Sequence, residues 1–182
     1  FQRDKQLIDI GRALKQCTAQ GKPAALDVYS AEKNPEILKN LNEENGICFH
    51  GAVAPDQIPG LMVQCLAVIH TESFDPEMVQ QVRFSVSTKI AESVTVGPCL
   101  FAYGPAQVAS MDYLIRNDAA YVVTRPEDLA ASLEDLICNR EKRGQILVNA
   151  RNAAARNHSA QVNTQNMKKW LTEAIQAFSE RD

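Results

Sequence analysis

Five short apolar stretches recur along the chain, and helix-like sequence separates them. They are the run from Ala24 to Tyr29 in "KPAALDVYS", "NGICFHG" between Gly46 and Gly51, "CLAVIH" at 65–70, "PCLFAYGP" at 98–105 and "AAYVVT" at 119–124. Apolar residues at consecutive rather than alternating positions predict strands buried on both faces. In the opening segment "FQRDKQLIDIGRALKQC", Leu7, Ile10, Leu14 and Cys17 recur at spacings of three and four, which predicts a helix. A short polar helix is expected over 31–41, and a turn with a short helix under Pro59 over 54–64. A further helix starts near Ser87, runs through Ile90, Ala91 and Val94, and stops at Gly97–Pro98. Another covers 105–117, and Thr124 with Glu127 predicts a capping box ahead of Leu129, Leu133, Leu136 and Ile137. Two helices follow, at 140–157 and 162–180, and Met167, Trp170, Leu171, Ala174, Ile175 and Phe178 share one face of the last.

Strands of this kind alternating with helices predict an α/β fold, a Rossmann-like doubly wound parallel sheet of about five to six strands with helices on both faces. There is no Gly-x-Gly-x-x-Gly turn, so the dinucleotide fingerprint is absent. In doubly wound sheets the ligand lies at the carboxyl ends of the strands. This directs attention to Tyr29–Ser30, His50–Gly51, His70–Phe74, Tyr103–Pro105 and the helix start at Ser87. A domain that opens on a helix beside a parallel sheet is expected to have a strand before it. The expectation is therefore one domain, 1–182, taken from a longer protein.

Composition narrows the function. The 182 residues are 45% hydrophobic and 23% charged, enough for one full-sized core. A net charge of −3 and the lack of a long basic run argue against a nucleic-acid groove or an electrostatic membrane anchor. Five cysteines (Cys17, Cys48, Cys65, Cys99, Cys138) are widely spaced and form no C-x-x-C pair, three of them inside apolar strand-like runs. They read as small hydrophobes in a reducing, cytoplasmic setting, with no disulfide and no zinc. No apolar run approaches the roughly 20 residues that span a bilayer.

The stretch "SVSTKIAESVTVGPCLFAYGP" at 85–105 concentrates the candidate chemistry. Ser85, Ser87 and Thr88 precede a helix whose free N–H groups suit phosphate. Lys89 stands in the first turn, where a cation is unfavourable unless an anion arrives. Glu92 lies a turn further on, within reach of a ribose hydroxyl. The plainer reading is a Ser/Thr cap followed by solvated charges. Tyr103, Gly104 and Pro105 follow a strand directly, and Gly104 suits a close approach of chain and ligand. His50 and His70 end strands, and His158 reads as a surface residue.

The order of these segments resembles the carboxyl-terminal, donor-binding half of a large retaining GT-B glycosyltransferase, from Lys5 to about Phe178. "DKQLIDIGRAL" resembles the family's Lys-Gly helix start, and "GICFHGAVAPDQIPGLMVQCLAVIH" its Gly-Val turn, short helix and strand. "TKIAESVTVGPCLFAYGP" resembles its Lys-x-x-Glu-Tyr-x-x-x-Gly-x-Pro segment, and "DLAASLEDLICNREKRGQILVNARNAAARNHS" its helical tail. The resemblance implies a nucleotide-diphosphate sugar as substrate, no cofactor and no metal, and an acceptor held by a separate amino-terminal domain on which helix 162–180 would pack. It implies that Lys5 neutralises the diphosphate, that Glu92 takes the ribose hydroxyls, and that Glu72 faces the donor sugar as the catalytic-site carboxylate. Ser73 and Phe74, with Ser87, Thr88, Lys89, Tyr103 and Gly104, complete the donor site, and His50 and Gly51 fall near the base.

Two departures matter. Gln6 stands where the family has glycine. The family's two glutamates have seven residues between them, whereas Glu72 and Glu92 have 19, an excess of 12, and Phe84 occupies the position the spacing reserves for glutamate. Either residues 75–86 are an insertion beside the site, where Arg83 could reach a phosphate, or Glu72 is only a loop residue. A second reading of the whole is a Rossmann-like interaction or regulatory nucleotide-binding module without catalysis.

Overall fold

The computed structural model describes residues 3–179. Phe1, Gln2 and residues 180–182, included in the predicted domain and its end helices, lie outside them. Helix α1 (Asp4–Ala19) turns Gln6, Ile10, Ala13, Leu14 and Cys17 inward; Ile10, Leu14 and Cys17 are the predicted stripe, while Leu7, its fourth member, is only half-buried. It leads to β1 (Leu26–Tyr29), a short α2 (Pro35–Leu38) capped by Asn34, and β2 (Ile47–Gly51). A 3-10 turn at Pro55–Gln57 and α3 (Ile58–Met62) precede β3 (Ala67–Thr71). Next come α4 (Pro76–Val82), α5 (Thr88–Val96), β4 (Cys99–Tyr103), α6 (Ala109–Arg116) and β5 (Tyr121–Val123). The chain closes with α7 (Leu129–Cys138), α8 (Arg140–Asn157) and α9 (Ala160–Ser179).

All strand pairs are parallel, in two groups: β1 with β2, and β3–β4–β5 in that order. Alternate strand residues face opposite layers. On one face Leu26, Val28, Ile47, Phe101, Tyr103, Tyr121 and Val123 pack with Ile10 and Leu14 of α1 and Leu133 of α7. On the other, Leu100 and Ala102 meet Val94 of α5, Leu114 of α6 and Ala150 and Ala153 of α8. Complete burial of side chains such as Phe101 and Leu133 stabilises the fold by roughly 1.5–3 kcal/mol each. The fold is the predicted Rossmann-like α/β architecture, but the described residues form five strands in groups of two and three where one sheet of about five to six was expected.

Gly11 explains how α1 sits so low. A Cβ there would stand 2.3 Å from the Asn45 carbonyl oxygen, so only glycine lets the helix touch the turn before β2. Gly46, in that turn, has φ +73° and would collide with Gly11 in the same way.

Several local expectations are corrected. The Thr124–Glu127 capping box does not form; a 3-10 turn at Pro126–Asp128 intervenes, and Arg125 pairs with Asp128 instead. The helix expected over 31–41 is confined to α2, because Asn34 and Pro35 set its start and Asn42 starts a new turn. Cys65 lies outside β3 and is exposed. The 75–86 stretch, expected as an insertion beside the site or else leaving Glu72 a loop residue, holds a short helix: Asp75 caps α4, with Pro76 in its first turn, and Val79 is buried against the α5–α6 side. Phe84, just beyond α4, is 88% exposed. The stripe on α9 is also exposed along its length, with Trp170 at 60%. No described helix is long and apolar enough to cross a membrane.

Candidate functional site

The carboxyl ends of β3 and β4 converge on one buried carboxylate. Glu72, immediately after β3, is 2% exposed. Its Oε1 lies 3.0 Å from His70 Nε2, and its Oε2 pairs with Arg3 Nη2 at 2.7 Å. Residues two apart on a strand share a face, which is why the His-Thr-Glu sequence brings His70 and Glu72 together. Burial alone would raise the Glu72 pKa. The His70 hydrogen bond, the Arg3 charge and the Ser110 hydroxyl outweigh it and hold the carboxyl below its ordinary value, so it stays ionised.

Ser110, which also helps to lower the Glu72 pKa, ties the start of α6 to the chain that leads into α5. The Ser110 hydroxyl, fully buried at the start of α6, accepts the Ser87 N–H at 3.0 Å and lies 3.2 Å from the Ser85 carbonyl. Ser87 occupies the N-cap position of α5, but its side chain makes no capping bond. The first N–H groups of this helix therefore have no side-chain cap, the state in which a helix start accepts an anion. Thr88 and Lys89 are exposed in the first turn and Glu92 is exposed one turn on.

Around Glu72 the neighbouring chain is tightly placed. The Glu72 N–H donates to the Tyr103 carbonyl at 2.9 Å, and the Gly104 N–H to the Val123 carbonyl at 3.1 Å. Phe74 packs on the Tyr103 ring, with centroids 5.1 Å apart. The Tyr103 hydroxyl reaches Asp9 of α1 at 3.4 Å; burial, reinforced by Asp9, pushes its pKa up to about 12, so it remains a neutral donor. Ser73 is buried and its hydroxyl accepts the Asp75 N–H. Lys5 is exposed in the first turn of α1, two residues from Arg3.

The other half of the carboxyl edge is separate. His50 Nε2 lies 2.7 Å from Asp27 Oδ1, and the His50 ring stacks on Tyr29 at 4.7 Å and 16°. This pair forms a half-exposed planar surface beside Gly51, whose φ of +75° turns the chain out of β2.

The structure thus brings Glu72, Ser73, Phe74, Ser87, Tyr103 and Gly104 together around one point. Thr88, Lys89 and Glu92 follow from that point along α5, and Lys5 sits in the turn beside Arg3. His50 and Gly51 belong to the β1–β2 edge. Sequence reasoning missed Arg3, Asp9 and Ser110. None of the three belongs to a local motif in the sequence. The role of His70 was detectable from its spacing to Glu72. Among the described residues no three His, Cys, Asp or Glu side chains gather as a metal site needs.

A family model described as "Glycosyl transferase-like" matches residues 12–170, most of the chain. The chain belongs to this glycosyl transferase-like family. The solved structure of WaaG, a glycosyltransferase involved in lipopolysaccharide biosynthesis, superposes on this glycosyl transferase-like chain with a TM-score of 0.62 and 17% identity. The match covers 83% of this chain and 38% of that one, so the chain spans well under half of the solved relative. Among curated proteins none matches. The fold of the domain is accordingly the GT-B, Rossmann-like one.

Proposed function

We propose that this domain is the donor-binding half of a glycosyltransferase, which holds a nucleotide-diphosphate sugar while an acceptor is presented by a separate domain. One observation carries the reading. Two helix starts, that of α1 through Arg3 and that of α5 through Ser110, are tied to a single ionised carboxylate at the carboxyl ends of β3 and β4. Two such starts with Lys5 and Lys89 in their first turns make a cradle for a diphosphate, whose leaving charge the N–H groups and ammonium groups stabilise. Glu92 accepts the ribose hydroxyls, and Tyr29 and His50 with Gly51 offer a surface for the base. Glu72 stands at the donor-sugar end with Ser73 and Phe74, beside Thr88, Tyr103 and Gly104. The exposed stripe of α9 is where the acceptor-side domain would pack.

The second reading, a Rossmann-like module that catalyses nothing, draws on the sealing of Glu72 by His70 and Arg3. Calorimetric titration with UDP, GDP, ADP and their sugar conjugates separates the two. The donor-site reading predicts binding of one nucleotide series and its loss in Glu92→Ala. Binding to none by the full-length protein leaves the module reading standing.

A further inference from the structure

Gln6 is the only polar residue among the buried positions of α1, and it is 5% exposed. A glutamine is seldom buried this far without hydrogen-bond partners, because an unpaired amide in the interior forfeits the bonds it made to water. Its Oε1 has no partner among the described residues. Within that set only two other buried side-chain polar atoms are in the same state, Glu72 Oε2 and the Tyr121 hydroxyl. Tyr121 stands in β5, whereas Glu72 and Gln6 both lie at the start of α1.

The helix fixes where the Gln6 amide sits. Arg3, Gln6 and Asp9 follow one another at spacings of three, so they are neighbours on one side of α1. Arg3 reaches Glu72 at the end of β3, and Asp9 accepts the Tyr103 hydroxyl at the end of β4. Gln6 stands between them, on the buried stripe and one turn closer to the carboxyl edge of the sheet than Ile10. It therefore belongs to the Glu72–Tyr103 end of the site. There Glu72 Oε2 has the Arg3 charge at 2.7 Å but no hydrogen bond among the described residues. Two buried acceptors at one end of a site call for a ligand with protons to donate. A diphosphate at neutral pH is itself an acceptor and does not qualify, whereas the adjacent hydroxyls of a pyranose do.

We infer that Gln6 reads the donor sugar: its Oε1, with Glu72 Oε2, accepts hydrogen bonds from sugar hydroxyl groups and so selects among nucleotide sugars by where those hydroxyls stand. The inference rests on the donor-site reading above and adds to it the residue that sets sugar specificity. Lys5, Lys89 and Glu92 serve the diphosphate and ribose that all such donors share, and Gln6 faces the part that differs. A buried amide that stays unpaired until a hydroxyl reaches it rejects a sugar lacking that hydroxyl.

Gln6→Met tests this, because methionine keeps the length of the side chain and removes the acceptor. In calorimetric titrations of the full-length protein, UDP, GDP and ADP are compared with UDP-glucose, UDP-N-acetylglucosamine, GDP-mannose and ADP-glucose. The variant should bind the parent's nucleoside diphosphate within ~2-fold and its preferred sugar conjugate about 5–10-fold more weakly, the worth of one hydrogen bond. A conjugate lacking the recognised hydroxyl should lose as much in the parent and nothing further in the variant. Without ligand, Gln6→Met should melt no lower than the parent, since no bond within the protein is broken. Gln6→Ala should show the same selective loss. Equal weakening of free diphosphate and conjugate, an unchanged conjugate, or a lower ligand-free melting temperature in Gln6→Met would overturn the inference. A parent that binds no nucleoside diphosphate fails the donor-site reading itself, and the inference falls with it.

Discussion

A Cβ added to Gly104 would stand 2.7 Å from the Cβ of Glu72 and 3.1 Å from its backbone nitrogen and oxygen. The strand-end glycine is thus the space in which the buried carboxylate rests, and the Tyr103 carbonyl pins the same residue from behind. Gly104→Ala should cost about 1–3 kcal/mol, because backbone as well as side chain must shift. Urea unfolding measures it. A variant as stable as the parent would show that Glu72 and Gly104 do not pack this closely.

Arg3 and His70 keep Glu72 charged in a buried place, and removing either partner leaves an uncompensated charge. Loss of a partner from a buried pair costs ~3–5 kcal/mol. Arg3 is 32% exposed, and solvent screening lowers its share, so Arg3→Ala should cost ~2–3 kcal/mol. Arg3→Lys should restore part of it. Thermal melts of the two variants at neutral pH test this.

The pH dependence has a definite sign. The Glu72 pKa is lower in the folded protein than the ordinary 4.5, because its His70 and Arg3 contacts outweigh burial. The unfolded chain then binds the proton first, so this contribution to stability is fully present above about pH 4.5 and is lost as pH falls through the lower folded value. The melting-temperature difference between the parent and Glu72→Gln should stay constant from pH 8 to about 5 and shrink below that. A difference that grows on acidification contradicts the assignment.

The burial of the helices predicts opposite outcomes at two leucines. Leu133 of α7 is completely buried, so Leu133→Ala should cost ~2–5 kcal/mol. Leu171 of α9 is exposed, and Leu171→Ala in the isolated domain should change stability by less than ~0.5 kcal/mol. Chemical denaturation of both variants compares them directly.

How much of this was legible beforehand follows from what each residue does. Apolar runs placed all five strands, but only β4 is buried at every position; β1 alternates buried and exposed residues, β2 is largely half-buried, and β3 begins at Ala67 rather than Cys65. The 140–157 helix agrees to the residue, since Asn139 caps it. Thr124 misled because a capping box needs the helix to begin at once, and Pro126 inserted a 3-10 turn first. The partners of Glu72 were hidden for another reason. Arg3 and Ser110 reach it from helices far along the chain, and only the packed fold joins them. The separation of β1 from β3 depends on strand order, which periodicity does not encode.

The central claim is that the starts of α1 and α5 hold a nucleotide diphosphate. Its most direct test is calorimetric titration of the full-length protein with nucleoside diphosphates, in parallel with Ser110→Ala. Removing that hydroxyl takes away the partner that holds Ser87 and so loosens the start of α5, which should weaken affinity about 5–10-fold if reordering it costs roughly 1 kcal/mol on binding. Tight binding of one nucleotide series, weakened in the variant, is the predicted result. Nucleotide binding that ignores Ser110, or no binding of any series, would contradict it.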